Sequence, residues 1–169
     1  MTKFREVHLP KGVSGRLYLH SMPGRHEPLD EVRKQLQELE VTVIVNLAPS
    51  EEVHRKSPEY AKALAAATVP CEVWPLPIQD YGAPSDDAAF EKLVGRINSA
   101  LRQGKRFLVH CGAGIGRTGT VAVAVLMALG LTATEAKRSV KAAGSGPEVP
   151  GQEETLRQFE TSLRNGAPI

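Results

Sequence analysis

A cysteine followed six positions later by an arginine, with three glycines between them, is the part of this chain best equipped for chemistry. The stretch reads His110-Cys111-Gly112-Ala113-Gly114-Ile115-Gly116-Arg117-Thr118 and comes directly after Arg106–Val109, an expected short strand. A strand, a glycine-rich turn and a helix start aim backbone N–H groups at one point, and the helix dipole adds positive charge there. Arg117 has a planar fork that matches two oxygens of a phosphate. Donors that hold a phosphate also hold a thiolate, so the Cys111 pKa is expected below the free value of about 8.5. A thiolate beneath a bound phosphate is set for in-line attack on phosphorus. The Thr118 hydroxyl is expected to hydrogen-bond the sulfur as it leaves in a second step. His110 is expected to support the loop backbone, since a thiolate already formed needs no base.

Transfer of phosphate to sulfur requires a proton for the departing oxygen. The chain has four aspartates, Asp30, Asp80, Asp86 and Asp87. Asp86 and Asp87 sit in Ser85-Asp86-Asp87, a helix-capping cluster. Asp80 lies in the loop Gln79–Pro84, after the strand candidate Val69–Leu76, and is the expected general acid. That strand is expected to neighbour the one leading to Cys111, which would put both residues at one sheet edge.

Gly114-Ile115-Gly116-Arg117-Thr118-Gly119 also has the form of a dinucleotide fingerprint. That motif requires a further strand ending in an acidic residue about 20 residues on. Here Thr132 and Glu135 instead form a capping box that opens another helix, and no aspartate follows Arg117. A Walker loop is excluded because no Gly-Lys-Ser/Thr occurs.

The elements needed to position these residues alternate. Gly15–Leu19 and Val41–Leu47 read as strands, the latter apolar enough to be buried on both faces. Leu29, Val32, Leu36 and Leu39 lie on one helical face. Ser57-Pro58 opens a helix with Ser57 as its cap, and another helix follows Asp87 to about Leu101. Thr118–Leu129 is apolar all round and is expected to be a buried central helix. After a Gly/Pro-rich break at Gly144–Gly151, a last helix covers Gln152–Leu163. The expected fold class is α/β, one domain over residues 1–169, a sandwich with a mostly parallel central sheet flanked by helices.

A net charge of +2 without a dense basic stretch, together with few aromatics, argues against nucleic acid or a membrane surface as partner. Two cysteines, Cys71 and Cys111, make neither a disulfide scaffold nor a four-ligand zinc site. The N-terminus carries charges where a signal peptide needs an apolar run, and the expected compartment is the reducing cytoplasm. His8, His20, His26 and His54 are expected at the surface or in caps, while Trp74 is expected in the core.

The Cys111–Arg117–Thr118 loop, His110 and an upstream Asp80 loop together resemble the protein tyrosine phosphatase superfamily in its small dual-specificity branch. The similarity is greatest to compact kinase-associated and archaeal or bacterial members with an Ile-x-Asp-x-Gly-x-Pro acid loop. The resemblance implies a two-step reaction with no metal and no cofactor. Cys111 would form a phosphocysteine, and Asp80 would serve first as acid and then as base. Arg117 and the backbone of Gly112, Ala113, Gly114, Ile115 and Gly116 would bind the phosphate. The implied substrate is phosphotyrosine in a phosphorylated protein or peptide, with phosphoserine and phosphothreonine as further candidates. Gln152 lies where relatives often place a polar residue that orients the hydrolytic water, although a first-turn helix residue needs no such role. The phosphotyrosine-recognition loop of the large tyrosine-specific enzymes is missing, and the signature loop has no lysine of the lipid-phosphatase kind. Ala48 stands where some members carry a second, protective cysteine, and Cys71 reads as a small buried residue. Two alternatives stay open, a phosphatase of a small metabolite or inositol phosphate and a non-catalytic phosphate-binding module.

Overall fold

Val43, Ile44 and Val45, like Phe107, Leu108 and Val109, are fully buried, which is what a strand covered on both faces requires. These two runs form the middle of a five-stranded sheet in a computed structural model that describes residues 3–166. The first two and last three residues of the domain expected over 1–169 lie outside the described residues. The strands are β1 (Arg5–Val7), β2 (Arg16–His20), β3 (Val43–Asn46), β4 (Glu72–Pro75) and β5 (Arg106–His110), in the order β1-β2-β5-β3-β4. Only β1 runs antiparallel to its neighbour, so the sheet is mostly parallel, as expected.

The described helices are α1 (Leu29–Glu38), α2 (Ser50–Lys56), α3 (Pro58–Ala65), α4 (Asp87–Arg102), α5 (Gly116–Ala128), α6 (Ala133–Ala142) and α7 (Pro150–Arg164). Alternation along the strands assigns them to two layers. Leu17, Leu19, Val43, Val45, Phe107 and Val109 face the core made with α4 to α7. Tyr18, Ile44 and Leu108 point the other way, into a second core with Leu29, Val32 and Leu36 of α1 and with Val53, Tyr60 and Ala61 of α2 and α3. Helix α5 is buried from Gly116 to Met127, matching its all-round apolar sequence. The Asp86 cap of α4 and the Thr132–Glu135 capping box of α6 are both present.

Several expectations need correction. The strand before the Asp80 loop does not neighbour β5, because β3 lies between them. The register nevertheless aligns His20, His110, Asn46 and Pro75 at the ends of four adjacent parallel strands, so the loops after them still share one edge. Strand β4 is shorter than Val69–Leu76, since Pro70, Pro75 and Pro77 leave few backbone donors for a ladder. Ser57 makes no side-chain cap, because its hydroxyl donates to the Pro23 carbonyl oxygen at 2.8 Å. Trp74 is only half-buried, edge-on to Phe107 with the Arg96 guanidinium 3.9 Å from its ring. His20 is buried rather than at the surface, with Nε2 3.3 Å from Glu27 Oε2. Strand β1 and helix α2 were not expected at all.

Candidate active site

The residues from His110 to Thr118 leave β5 at the shared edge and enter α5 within a few positions. Cys111 is 2% exposed, at the floor of the turn. Its Sγ accepts a hydrogen bond from the Gly114 backbone N–H at 3.2 Å. A small pocket of about 180 Å3 opens above it, lined by Cys111, Ala113, Ile115, Gly116 and Arg117 of the turn together with Asp80 and Gln152. Arg25, Lys56, Tyr81 and Glu148 complete its wall. Gly112 and Gly114 are not part of this lining. Gly114 has φ +73°, and a Cβ there would collide with the His20 carbonyl, so the turn admits only glycine at that point.

His110 is fully buried beside the turn. Its Nδ1 lies 3.0 Å from the Cys111 carbonyl oxygen and its Nε2 lies 2.9 Å from the Tyr60 hydroxyl. A carbonyl only accepts, so Nδ1 carries the proton and Nε2 accepts from Tyr60. Burial pushes the His110 pKa down to about 4, which keeps the ring neutral near pH 7. The Thr118 hydroxyl is buried and makes no hydrogen bond among the described residues, to the sulfur or otherwise.

Arg117 does not reach into open space. Nη1 donates to Glu52 Oε2 at 2.7 Å and to the Ile78 carbonyl oxygen at 2.9 Å, while Nη2 donates to Glu52 Oε1 and Asp80 Oδ1, both at 2.9 Å. Burial opposes the Arg117 charge, and Glu52, Cys111 and Asp80 together more than offset it, raising the pKa above its ordinary value. Burial likewise opposes the Glu52 charge, yet hydrogen bonds from Arg117 and Lys56 hold its pKa down at about 2. Lys56, one helical turn on from Glu52, bridges Glu52 Oε1 at 2.7 Å and Asp80 Oδ2 at 3.4 Å.

The Asp80 loop is therefore tied down along its length. Ile78 is buried and receives Arg117 on its carbonyl oxygen. Asp80 Oδ1 also accepts from the Tyr81 N–H at 3.1 Å, and Tyr81 holds the left-handed φ of +56° in the tight turn Gln79–Gly82. The Gly82 carbonyl oxygen accepts from Gln152 Nε2 at 2.9 Å, and Gln152 Oε1 accepts from the Glu148 N–H at 2.8 Å. Gln152 lines the pocket, with both ends of its amide joining the segments on either side. Tyr81 and Ile115, the two large apolar side chains most exposed among the described residues, stand at the pocket mouth.

Of the residues predicted for the site, Cys111, Ala113, Ile115, Gly116, Arg117, Asp80 and Gln152 line this pocket, while His110, Gly112, Gly114 and Thr118 do not. The anchor Glu52 was missed, and Lys56, Arg25, Tyr81 and Glu148 with it. Pro49-Ser50-Glu51-Glu52 is an acidic helix start and Glu52–Lys56 an (i, i+4) pair, signals that mark a helix but name no partner. Cys71 is half-buried, its thiol donates to the Val41 carbonyl oxygen at 3.2 Å, and burial pushes its pKa up to about 11, which suits an inert thiol. Among the described residues no three His, Cys, Asp or Glu side chains gather as a metal would need, and no helix is long and apolar enough to cross a membrane.

Comparison with known proteins places this arrangement in context. A family model described as "Swiss Army Knife protein, DSP-PTPase phosphatase domain" matches residues 13–162. The structure of Tk-PTP in its active form is similar over 88% of this chain and 94% of its own, at 32% identity and a TM-score of 0.69. Kinase associated phosphatase, solved with its catalytic-site cysteine replaced by serine, matches with a TM-score of 0.82 over 97% and 98% of the two chains, at 19% identity. PTPMT1, solved in complex with PI(5)P, matches with a TM-score of 0.72 over 95% and 97%, also at 19% identity.

Proposed function

This chain belongs to the small dual-specificity-like branch of the protein tyrosine phosphatase superfamily, and from that premise we propose that it hydrolyses phosphotyrosine in proteins through a phosphocysteine intermediate. Phosphoserine and phosphothreonine are further candidates at the same site. The observation that carries the reading is the convergence of Cys111, Arg117 and Asp80 on one pocket, with a backbone N–H already donated to the sulfur.

In the first step Cys111 Sγ attacks phosphorus, the P–S bond forms, and the P–O bond to the leaving group breaks. Asp80 gives its proton to the departing oxygen. In the second step Asp80 takes a proton from water, the water oxygen attacks phosphorus, and sulfur leaves with the Thr118 hydroxyl as donor. Arg117 and the backbone N–H groups from Gly112 to Arg117 hold the equatorial oxygens throughout. Both terminal nitrogens of Arg117 are fully engaged by Glu52, Ile78 and Asp80. A phosphate gripped as a fork uses its Nε–H and the Nη2–H that now holds Asp80. Substrate binding therefore releases Asp80 from Arg117 and frees it to meet the leaving group, while Glu52 keeps the guanidinium in place.

Tyr81 and Ile115 at the mouth suit the ring of an aryl phosphate. A second reading, a small metabolite phosphate or an inositol phosphate, draws on Arg25 and Lys56 in the pocket wall, which suit a substrate richer in anionic groups. The proposed setting is the reducing cytoplasm, where the Cys111 thiol stays free. The test is hydrolysis of p-nitrophenyl phosphate with and without a chelator, in the wild type and Cys111→Ser. The expected result is chelator-resistant turnover that the substitution abolishes. Activity retained in Cys111→Ser, or a wild type that only binds phosphate, would overturn the reading. A panel of phosphotyrosine peptides and inositol phosphates then separates the two substrate classes.

A further inference from the structure

The signature loop is braced from behind by a residue that the proposed mechanism does not use. Arg5, the first residue of β1, donates from Nη2 to the Gly114 carbonyl oxygen at 2.6 Å. Its Nη1 donates to Ser145 Oγ at 2.9 Å and to the Ala143 carbonyl oxygen at 2.8 Å. Ser145 is buried, and its hydroxyl donates to the same Gly114 oxygen at 2.6 Å. One carbonyl thus takes two donors, and the two donors are bonded to each other.

The peptide unit is planar and trans, so the Ile115 N–H points opposite to the Gly114 carbonyl. Tying that oxygen to Arg5 and Ser145 turns the Ile115 N–H the other way, into the ring of the turn. A rotated peptide would present an oxygen where the anion site needs a donor. Gly114 has no side chain of its own to resist such a rotation, and its N–H is the group that donates to Cys111 Sγ. Burial lowers the pKa of Arg5 and the neighbouring Cys111 sulfur raises it, so the two groups are within electrostatic reach.

We propose that Arg5 and Ser145 are positioning residues, which hold the Gly114–Ile115 peptide in its anion-binding orientation from outside the pocket. The proposal rests on the phosphatase reading above. Its test uses the full chain with Arg5→Gln, Arg5→Lys and Ser145→Ala. Three quantities are measured: the melting temperature, kcat for p-nitrophenyl phosphate, and the inhibition constant of inorganic phosphate. Loss of a preorganised donor is expected to raise that constant and lower kcat in Arg5→Gln, each by about tenfold or more. Arg5→Lys recovers part of the loss, because an ammonium reaches the Gly114 oxygen alone, and Ser145→Ala shifts both constants the same way by less. A merely structural role would lower the melting temperature and leave both constants unchanged below it. A folded Arg5→Gln with unchanged kcat and phosphate inhibition overturns the proposal and leaves the phosphatase reading standing. A wild type that neither hydrolyses p-nitrophenyl phosphate nor binds phosphate overturns both. Should Arg5→Gln fail to fold, Ser145→Ala decides: weakened phosphate inhibition supports the proposal, and unchanged inhibition overturns it.

Discussion

Glu52 governs what Arg117 can do. It occupies both terminal nitrogens of the guanidinium and leaves Nε–H, with whatever Nη2 releases, for an incoming anion. Removing one member of a buried ion pair costs up to about 3–5 kcal/mol, and here Asp80 still faces Arg117, so the cost sits at the lower end. Glu52→Ala is therefore expected to lower stability by that order in urea denaturation and to weaken phosphate inhibition. The pH dependence has a definite sign. The folded-state pKa of Glu52 is depressed from 4.5 to about 2, so its contribution is complete above 4.5 and is lost as pH falls through about 2. His110 is held neutral with a pKa lowered from 6.5 to about 4, so between those values the unfolded chain binds a proton that the folded chain refuses. Stability should accordingly fall from pH 6.5 to 4 and again from 4.5 to 2, and Glu52→Gln should remove the second loss. Tyr60→Phe deletes the donor to His110 Nε2 and strands a buried acceptor, at about 1–3 kcal/mol, read as a lower melting temperature.

At the scale of elements, the site is assembled where α2, the Asp80 loop and the segment after α6 close around the start of α5. Gly119 in the first turns of α5 lies against the backbone of Gly146, and a Cβ there would collide with it. Gly119→Ala is expected to push that segment away and cost about 1–3 kcal/mol. It should also loosen the Gln152–Gly82 bond and lower kcat, which kinetics below the melting temperature would register. What could be read from sequence at this scale was what is local. The Cys111–Arg117 turn, the apolar α5, the Asp86 cap and the Thr132–Glu135 capping box are patterns within a dozen residues. Helix α2 escaped notice because it is seven residues long and buries only Val53 and Glu52. Its importance lies in a contact 65 positions away in the chain, which no local pattern encodes. Strand β1 escaped for the same reason, being three residues long with only Val7 fully buried.

For the whole molecule, the parallel sheet turns scattered sequence into one edge. His20, Asn46, Pro75 and His110 end their strands in register, so loops from four parts of the chain meet above Cys111. The α/β class followed from alternating strands and helices, but the strand order did not. Pairing β5 with β2 and β3 leaves β4 at the rim, and the Asp80 loop reaches Arg117 across the end of β3. The central claim is that phosphate passes through Cys111. Its most direct test is rapid mixing with a phosphotyrosine peptide, acid quenching and mass spectrometry of the peptide that contains Cys111, in the wild type and Asp80→Asn. The predicted result is one phosphoryl group on Cys111, formed more slowly in Asp80→Asn, which lacks the acid for the leaving oxygen. Turnover of the peptide with no phosphoryl group on Cys111 at any time point in either protein would contradict it.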